Sequence, residues 1–520
     1  IEDLDLFQFK IEKLQKQYPG KIIAGGYLEP RSIYSSNSYD KIGNFGNESR
    51  TVHLGLDFWL SPGTKVNSMF DGEVVTSIND KGDKEYGGLL IIKHKVENFE
   101  FYTLYGHNTV GSVLKNKIGA KIKKGDIIAE IANYPENGNW APHLHFQIML
   151  STLNYKIDFP GVCYYNQIEV WKDLCPNPNL LFKSVDLNYT NDKSDGELIE
   201  YRKKHLGKSL KLHYEEPINI VRGEGVYLIS KNGRKYLDTI NNVAHVGHEN
   251  ESVVIEGQNQ MSILNTNSRY LHKSINELAE EIIQTLPEKL NVIHFVNSGS
   301  EANELAVRMM KSHTGSNDII VSENGYHGNT NICVDISSYK FDGKGGKGAP
   351  ENTHVISMPT KFNGKYKDDE VCEGYVNELK NSIKYLKSKN RDLGGFIIEP
   401  IISCGGQVEL PDGFLKTAYD LIRENGGICI SDEVQVGCGR LGESFWGFEL
   451  HNVIPDIITI GKPLGNGHPI GAVVCTSEIA ESFANGMEFF NTFGGNPVSC
   501  SIATQVLKVV KNENLQKNAK

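Results

Sequence analysis

Asp456-Ile-Ile-Thr-Ile-Gly-Lys462-Pro-Leu-Gly-Asn-Gly-His468-Pro469 decides the architecture of the larger part of this chain. The apolar run is short and rich in β-branched residues, so it reads as a buried strand. It ends in a lysine. Most lysines are solvated surface residues, but one that follows a buried strand and precedes Gly-Asn-Gly-His-Pro is a different case. A lysine so placed can serve as nucleophile and proton carrier.

Upstream, the same pattern recurs. Gly427-Ile-Cys-Ile-Ser-Asp432-Glu-Val-Gln435 is an apolar strand closed by a carboxylate, and Gly395-Phe-Ile-Ile-Glu399 is another. Ile319–Ser322 is a third, followed by Tyr326-His327-Gly328. Helical spacing runs over 275–290 and 301–313, the second preceded by Asn297-Ser298-Gly299-Ser300. Strands that alternate with helices from about residue 220 onward predict a mostly parallel, layered α/β domain. Ligands of such sheets sit at the carboxyl ends of the strands.

Taken singly these pieces have plain structural readings. Ser-Gly-Ser is a good N-cap, and Asp432 could cap a following helix. Together they supply what pyridoxal phosphate requires of a protein. Lys462 would hold the cofactor. Asp432 would face the pyridine nitrogen, and Gln435 the ring oxygen. Ser298, Gly299 and Ser300 at a helix N-terminus would cradle the phosphate. Tyr326 would lie over the ring, with His327 and Glu399 beside it.

The N-terminal third has another texture. Residues ~20–150 are glycine-rich, with short alternating apolar runs that predict half-buried strands of an antiparallel β domain. His53-Leu-Gly-Leu-Asp57, Tyr105-Gly-His107 and His143-Leu-His145 stand within it in that order. The even spacings put His53 with Asp57, and His143 with His145, on one face of an extended strand. Two imidazoles and a carboxylate suit Zn²⁺ and leave a position for water. A lone His-x-His is usually no metal site; the ordered set is far less expected by accident.

Composition bounds the rest. The chain has 520 residues, 39% hydrophobic and 23% charged, an ordinary globular balance. A net charge of -10 leaves no basic excess for nucleic acid, and no apolar run approaches the ~20 residues that span a bilayer. The nine cysteines are scattered and never spaced as Cys-x-x-Cys, which predicts a reducing, cytoplasmic setting. Cys175-Pro-Asn-Pro-Asn and the polar run 188–196 predict a linker. The expected domains are therefore 1–180, a linker over 181–200, and 201–520.

The N-terminal set resembles the M23, LytM-like metallopeptidases over roughly residues 50–150. That resemblance implies His53, Asp57 and His145 as zinc ligands, with His107 and His143 polarising the attacking water and stabilising the oxyanion. Lys121-Ile-Lys-Lys-Gly-Asp-Ile-Ile-Ala-Glu130 is also similar to a turn-and-strand pattern of lipoyl-type scaffolds, which carries no chemistry. In the C-terminal part, NSGSEANELA, YHGN, IIEP, SDEVQVGCGR, IGKPLGNGHPIGAV and FNTFGGNP resemble class III aminotransferases over nearly all of 200–510. This implies the type I fold of pyridoxal-phosphate enzymes and a homodimer in which Thr492 reaches the phosphate of the neighbouring subunit.

Asn241-Asn-Val-Ala-His-Val-Gly-His248, Asn265–His272, Ser338-Tyr-Lys-Phe341 and Phe490–Gly495 further resemble the ethanolamine-phosphate and hydroxylysine-phosphate phospho-lyases. The leading expectation is a phospho-lyase acting on a phosphorylated primary amine, joined to a metallopeptidase acting on a peptide. The alternative is a transaminase using a 2-oxo acid, with the M23 domain a peptide-binding or spacer module. The chain lacks an initiator Met and stops at Lys520, soon after a helical run over 499–511, so the family's C-terminal small domain is expected to be truncated.

Overall fold

The structure, a computed structural model, describes residues 4–31, 39–43, 46–153, 155, 159–184, 187 and 194–520. The run 188–193 at the heart of the expected linker lies outside the described residues. By its contacts the chain divides into two compact units, Ile1–Gly223 with Tyr227–Leu237, and Glu224–Val226 with Asp238–Lys520. The division falls later than 181–200. A three-stranded sheet of Ile220–Glu224, Tyr227–Ser230 and Lys235–Leu237 follows the polar run. Part of it belongs with the first unit, where Thr51 Oγ1 donates to the Asn232 carbonyl at 2.8 Å.

The first unit opens with helix α1 (Leu4–Gln17). Its main sheet has seven antiparallel strands: β1 (Ile23–Gly25), β2 (Leu56–Trp59), β3 (Gly72–Asp80), β4 (Gly87–Val96), β5 (Phe99–Asn108), β6 (Lys121–Ile122) and β7 (His143–Met149). The spatial order is β1-β2-β7-β5-β4-β3-β6. The alternating runs predicted strands buried on one face only, and the central strands depart from that. Leu90 and Ile92 of β4 enter one apolar cluster with Val74, Tyr105 and Phe146, while Leu89 and Ile91 enter another with Leu104, Met149 and Phe159. The segment carrying Phe159, Cys163 and Cys175 covers the second face, so the continuous run Leu89–Ile92 is buried on both.

The second unit has a seven-stranded sheet flanked by helices on both faces. Its strands are β8 (Val292–Val296), β9 (Asp318–Ser322), β10 (Thr353–Ile356), β11 (Leu393–Ile398), β12 (Ile428–Asp432), β13 (Ile457–Ile460) and β14 (Gly471–Cys475), in spatial order β8-β14-β13-β12-β11-β9-β10. Every pair from β13 to β10 is parallel, while β14 runs antiparallel to both its neighbours. Helix α2 (Gly299–Thr314) packs Ala302, Leu305 and Met309 on one face. Helices α3 (Val371–Ser388) and α4 (Phe414–Glu424) pack Leu379, Phe414 and Ile422 on the other, joined by α5 (Pro497–Asn512) through Cys500 and Ala503. Each fully buried Leu, Ile or Phe contributes roughly 1.5–3 kcal/mol. Helical spacing over 275–290 overran: the helix is Lys273–Ile283 and stops before Pro287, whose ring cannot continue it.

Candidate functional site

In the first unit, β7 pairs with β2 so that His145 stands opposite Asp57 and His143 opposite Trp59. His53 arrives differently from the single extended strand that its spacing suggested. It closes a two-residue strand, Val52–His53, paired with Val162–Cys163, and the chain bends at Leu54-Gly55 before β2 begins. The bend requires glycine, because a Cβ at Gly55 would lie 2.7 Å from the Phe146 carbonyl and 2.8 Å from His145 Cε1.

Three ligand-type atoms converge. His53 Nε2 lies 2.9 Å from His145 Nδ1, His145 Nδ1 is 3.1 Å from Asp57 Oδ1, and His53 Nε2 is 3.2 Å from the same oxygen. All three side chains are buried. Ligands ~2.0–2.1 Å from a tetrahedral Zn²⁺ stand about 3.3 Å apart, so the triangle matches such an ion. The outer atoms are tied down: His53 Nδ1 lies 3.2 Å from the Gly26 carbonyl, and His145 Nε2 is 3.1 Å from Gln147 Oε1. Gln147 in turn donates to the Pro160 carbonyl at 3.2 Å. Such partners orient metal-binding imidazoles. Burial, then Arg31, holds His53 down to about 4, which keeps its imidazole neutral as ligation requires.

His107 and His143 complete the expected set, their ring centroids 4.3 Å apart. His107 Nδ1 is 2.9 Å from the Asn137 carbonyl, His143 Nδ1 is 2.6 Å from that of Ala141, and His143 Nε2 is 3.8 Å from Asp57 Oδ1. Burial pushes both histidines below their ordinary range. Trp59 stacks on His143 at 5.8 Å, and Tyr86 lies edge-on to His145 at 5.4 Å. Sequence reading missed Arg31, whose guanidinium pairs with Asp57 Oδ2. It also missed Gln147, which the two-residue step beyond His145 placed on the same strand face.

In the second unit, β12 and β13 run side by side with Asp432 opposite Thr459. Lys462 follows β13 and opens a short 3₁₀ turn, with φ of 22°. Its Nζ donates to Gln435 Oε1 at 2.6 Å, and Asn242 Nδ2 donates to the same oxygen at 3.0 Å. Asp432 is buried, its Oδ2 accepting from Asn303 Nδ2 at 2.8 Å and lying 2.7 Å from His327 Nδ1. Burial pulls His327 down, but the Asp432 carboxylate outweighs it and raises the imidazole above its usual range. Asp432 Oδ1 accepts from the Val434 amide at 3.1 Å, so the capping role is fulfilled as well.

Ser298 caps α2 by accepting from the Glu301 amide at 3.1 Å, and Ser300 Oγ accepts from the Asn329 amide at 3.1 Å. The N-terminus of α2 packs tightly on the strand ends: a Cβ at Gly299 would meet Val434 Cγ1 at 2.5 Å, and one at Gly461 would meet Gly299 Cα at 3.1 Å. Glu399 grips backbone, accepting from the Tyr326 amide at 3.1 Å and from the Ser403 hydroxyl. Burial raises its pKa. Thr492 is exposed, next to Asn491, which accepts from Asn297 Nδ2 at 2.9 Å and donates to Glu301. Asn303 and Asn242 were not singled out from sequence, although both lie inside quoted motifs.

A family model described as aminotransferase class-III matches residues 211–520, and one described as peptidase family M23 matches 51–157. The alanine–glyoxylate aminotransferase 2-like protein of Drosophila melanogaster is 43% identical over 344 residues, 65% of this chain and 70% of that protein. The ethanolamine-phosphate phospho-lyase homolog 1 of Caenorhabditis elegans is 37% identical over 337 residues, 62% of this chain and 72% of that protein. Among solved structures, a phospholyase from Arthrobacter in complex with phosphoethanolamine matches with a TM-score of 0.58 and 35% identity, covering 62% of this chain and 75% of that one.

Proposed function

The chain belongs to the class III aminotransferase family, with an M23 peptidase domain ahead of it, and from that premise we propose that its second unit is a pyridoxal-phosphate-dependent phospho-lyase. The observation that carries this reading is the cluster of Lys462, Gln435, Asp432 and His327 at adjoining strand ends, beside the N-terminus of α2. Its donor set fits pyridoxal phosphate: an amine, a buried carboxylate for a protonated ring nitrogen, an amide, and open-ended backbone N–H groups for a phosphate. When bound, that cofactor supplies a carbonyl for the amine and an electron-withdrawing ring.

The protein's own residues do the rest. Lys462 Nζ takes the proton from the carbon that bears the amine. Asp432, held by Asn303 and His327, would face the ring nitrogen and hold a proton there. Tyr326, fixed through its amide by Glu399, would lie over the ring. The carbon–oxygen bond on the adjacent carbon then breaks, its electron pair leaving with phosphate, and water completes the release of ammonia and an aldehyde. The similarity to the Arthrobacter phospholyase supports a phosphorylated amine as substrate. Incubation with O-phosphoethanolamine and no 2-oxo acid should release ammonia and phosphate in equal amounts. Amino-group transfer that requires a 2-oxo acid would instead establish the transaminase.

For the first unit the reading is a zinc hydrolase acting on a peptide, with His53, Asp57 and His145 holding the metal and His107 and His143 facing the water. The triangle of ligand atoms favours this over a spacer role. Zinc bound one to one, with peptide cleavage lost in His145→Ala, tests it. A homodimer through the second unit, with Thr492 reaching the phosphate of the neighbouring subunit, and a cytoplasmic setting, the latter supported by nine free cysteines, complete the proposal.

A further inference from the structure

A second ammonium stands beside Tyr326. Lys340 belongs to the short helical turn Ser338–Phe341, which is pinned on several sides. The Tyr339 amide donates to the Gly325 carbonyl at 3.2 Å, the Asn324 amide donates to Ser338 Oγ at 3.2 Å, and Phe341 is buried. Lys340 Nζ is thereby held 5.4 Å from the Tyr326 ring centroid and 5.8 Å from that of Tyr339. Tyr339 meets Tyr326 edge-on at 5.8 Å. Tyr326 leads directly into His327, whose Nδ1 lies 2.7 Å from Asp432 Oδ2, so two ammonium groups, those of Lys462 and Lys340, belong to one set of strand-end residues. That of Lys462 is engaged by Gln435. That of Lys340 is half-buried against aromatic rings and has no ion pair or hydrogen bond among the described residues. A cation so placed is available to an anion that enters the site.

We propose that Lys340 receives the phosphate of a phosphorylated amine substrate and steadies it as it leaves. The inference rests on the phospho-lyase reading and names the residue that would select for it. Lys462 would act as a neutral amine at the amine-bearing carbon and the Lys340 ammonium at the phosphate on the next, so that the two lysines address opposite ends of a short substrate.

The test is an absorbance titration of the cofactor-loaded protein with O-phosphoethanolamine and with ethanolamine, for the wild type, Lys340→Ala and Lys340→Arg. A hydrogen bond to a charged group corresponds to roughly 10- to 100-fold in affinity. Lys340→Ala should weaken O-phosphoethanolamine by that factor, leave ethanolamine and the cofactor spectrum unchanged, and abolish competition by inorganic phosphate. Lys340→Arg should restore most of the loss. Equal weakening of both amines, or none for the phosphorylated one, overturns the assignment. Lysine-dependent binding followed by amino-group transfer only to a 2-oxo acid would instead defeat the lyase reading while leaving Lys340 as the anion receptor.

Discussion

Lys462 Nζ donates to Gln435 Oε1 at 2.6 Å, across 27 residues of chain. The bond exists because β12 and β13 are parallel neighbours whose ends both deliver polar side chains to one side of the sheet. It orients the lysine that would carry the cofactor.

Lys462→Ala should therefore remove the visible absorbance of bound cofactor and lower turnover by at least about 10³-fold. Gln435→Ala should keep the absorbance but lose about 10- to 100-fold in kcat/KM, since a hydrogen bond to a charged group is given up. The spectra and steady-state rates of the two variants check both. An unchanged spectrum in Lys462→Ala would sink the assignment.

Zinc should bind the first unit with one ion per chain, and Asp57→Ala should abolish stoichiometric binding, as metal analysis after dialysis will read. Zinc at 100-fold above its dissociation constant stabilises the folded state by about 2.7 kcal/mol, so the melting temperature should rise with added zinc and fall on chelation. A thermal transition indifferent to zinc contradicts the site.

Gly55→Ala places a methyl group 2.7 Å from the Phe146 carbonyl and 2.8 Å from His145 Cε1. Backbone cannot yield cheaply there, so a loss of about 1–3 kcal/mol is expected, with His145 displaced and zinc occupancy lowered. Denaturant unfolding and metal analysis should move together; Gly63→Ala, which meets nothing within 4 Å but has a positive φ of 82°, should cost stability without affecting zinc.

Glu433 supplies a pH dependence. Burial raises its pKa from 4.5 to about 7, although it accepts from the amides of Gly447 at 2.6 Å and Phe448 at 2.9 Å. Between those values the folded chain keeps a proton that the unfolded chain has released. The contribution is fully present below 4.5 and is lost as pH rises through 7, a change of about 3 kcal/mol. Glu433→Gln removes that titration, so its stability should fall less steeply between pH 5 and 8. Parallel curves for wild type and variant would contradict the shift.

The local content of both sites was legible. Apolar runs ended by Asp432, Glu399 and Lys462 announced strand ends, and all five histidine and aspartate positions of the N-terminal set came together as their order suggested. Two of the local readings that needed correction failed for a reason outside the window read. His53 and Asp57 share a site across a bend, because packing of Gly55 on β7 breaks the strand. Leu89–Ile92 is buried on both faces, because a segment some seventy residues away covers the second.

By itself, then, the sequence determined which residue types could do chemistry and that those of the second unit would meet at the ends of parallel strands, since periodicity and turn chemistry are encoded within a few residues. Only the tertiary structure decided which groups hold them. Arg31 reaches Asp57 across 26 residues, Asn303 reaches Asp432 across 129, and the turn carrying Lys340 is pinned beside Tyr326. Such pairings depend on how strands and helices stack to exclude water, and no spacing along the chain records that.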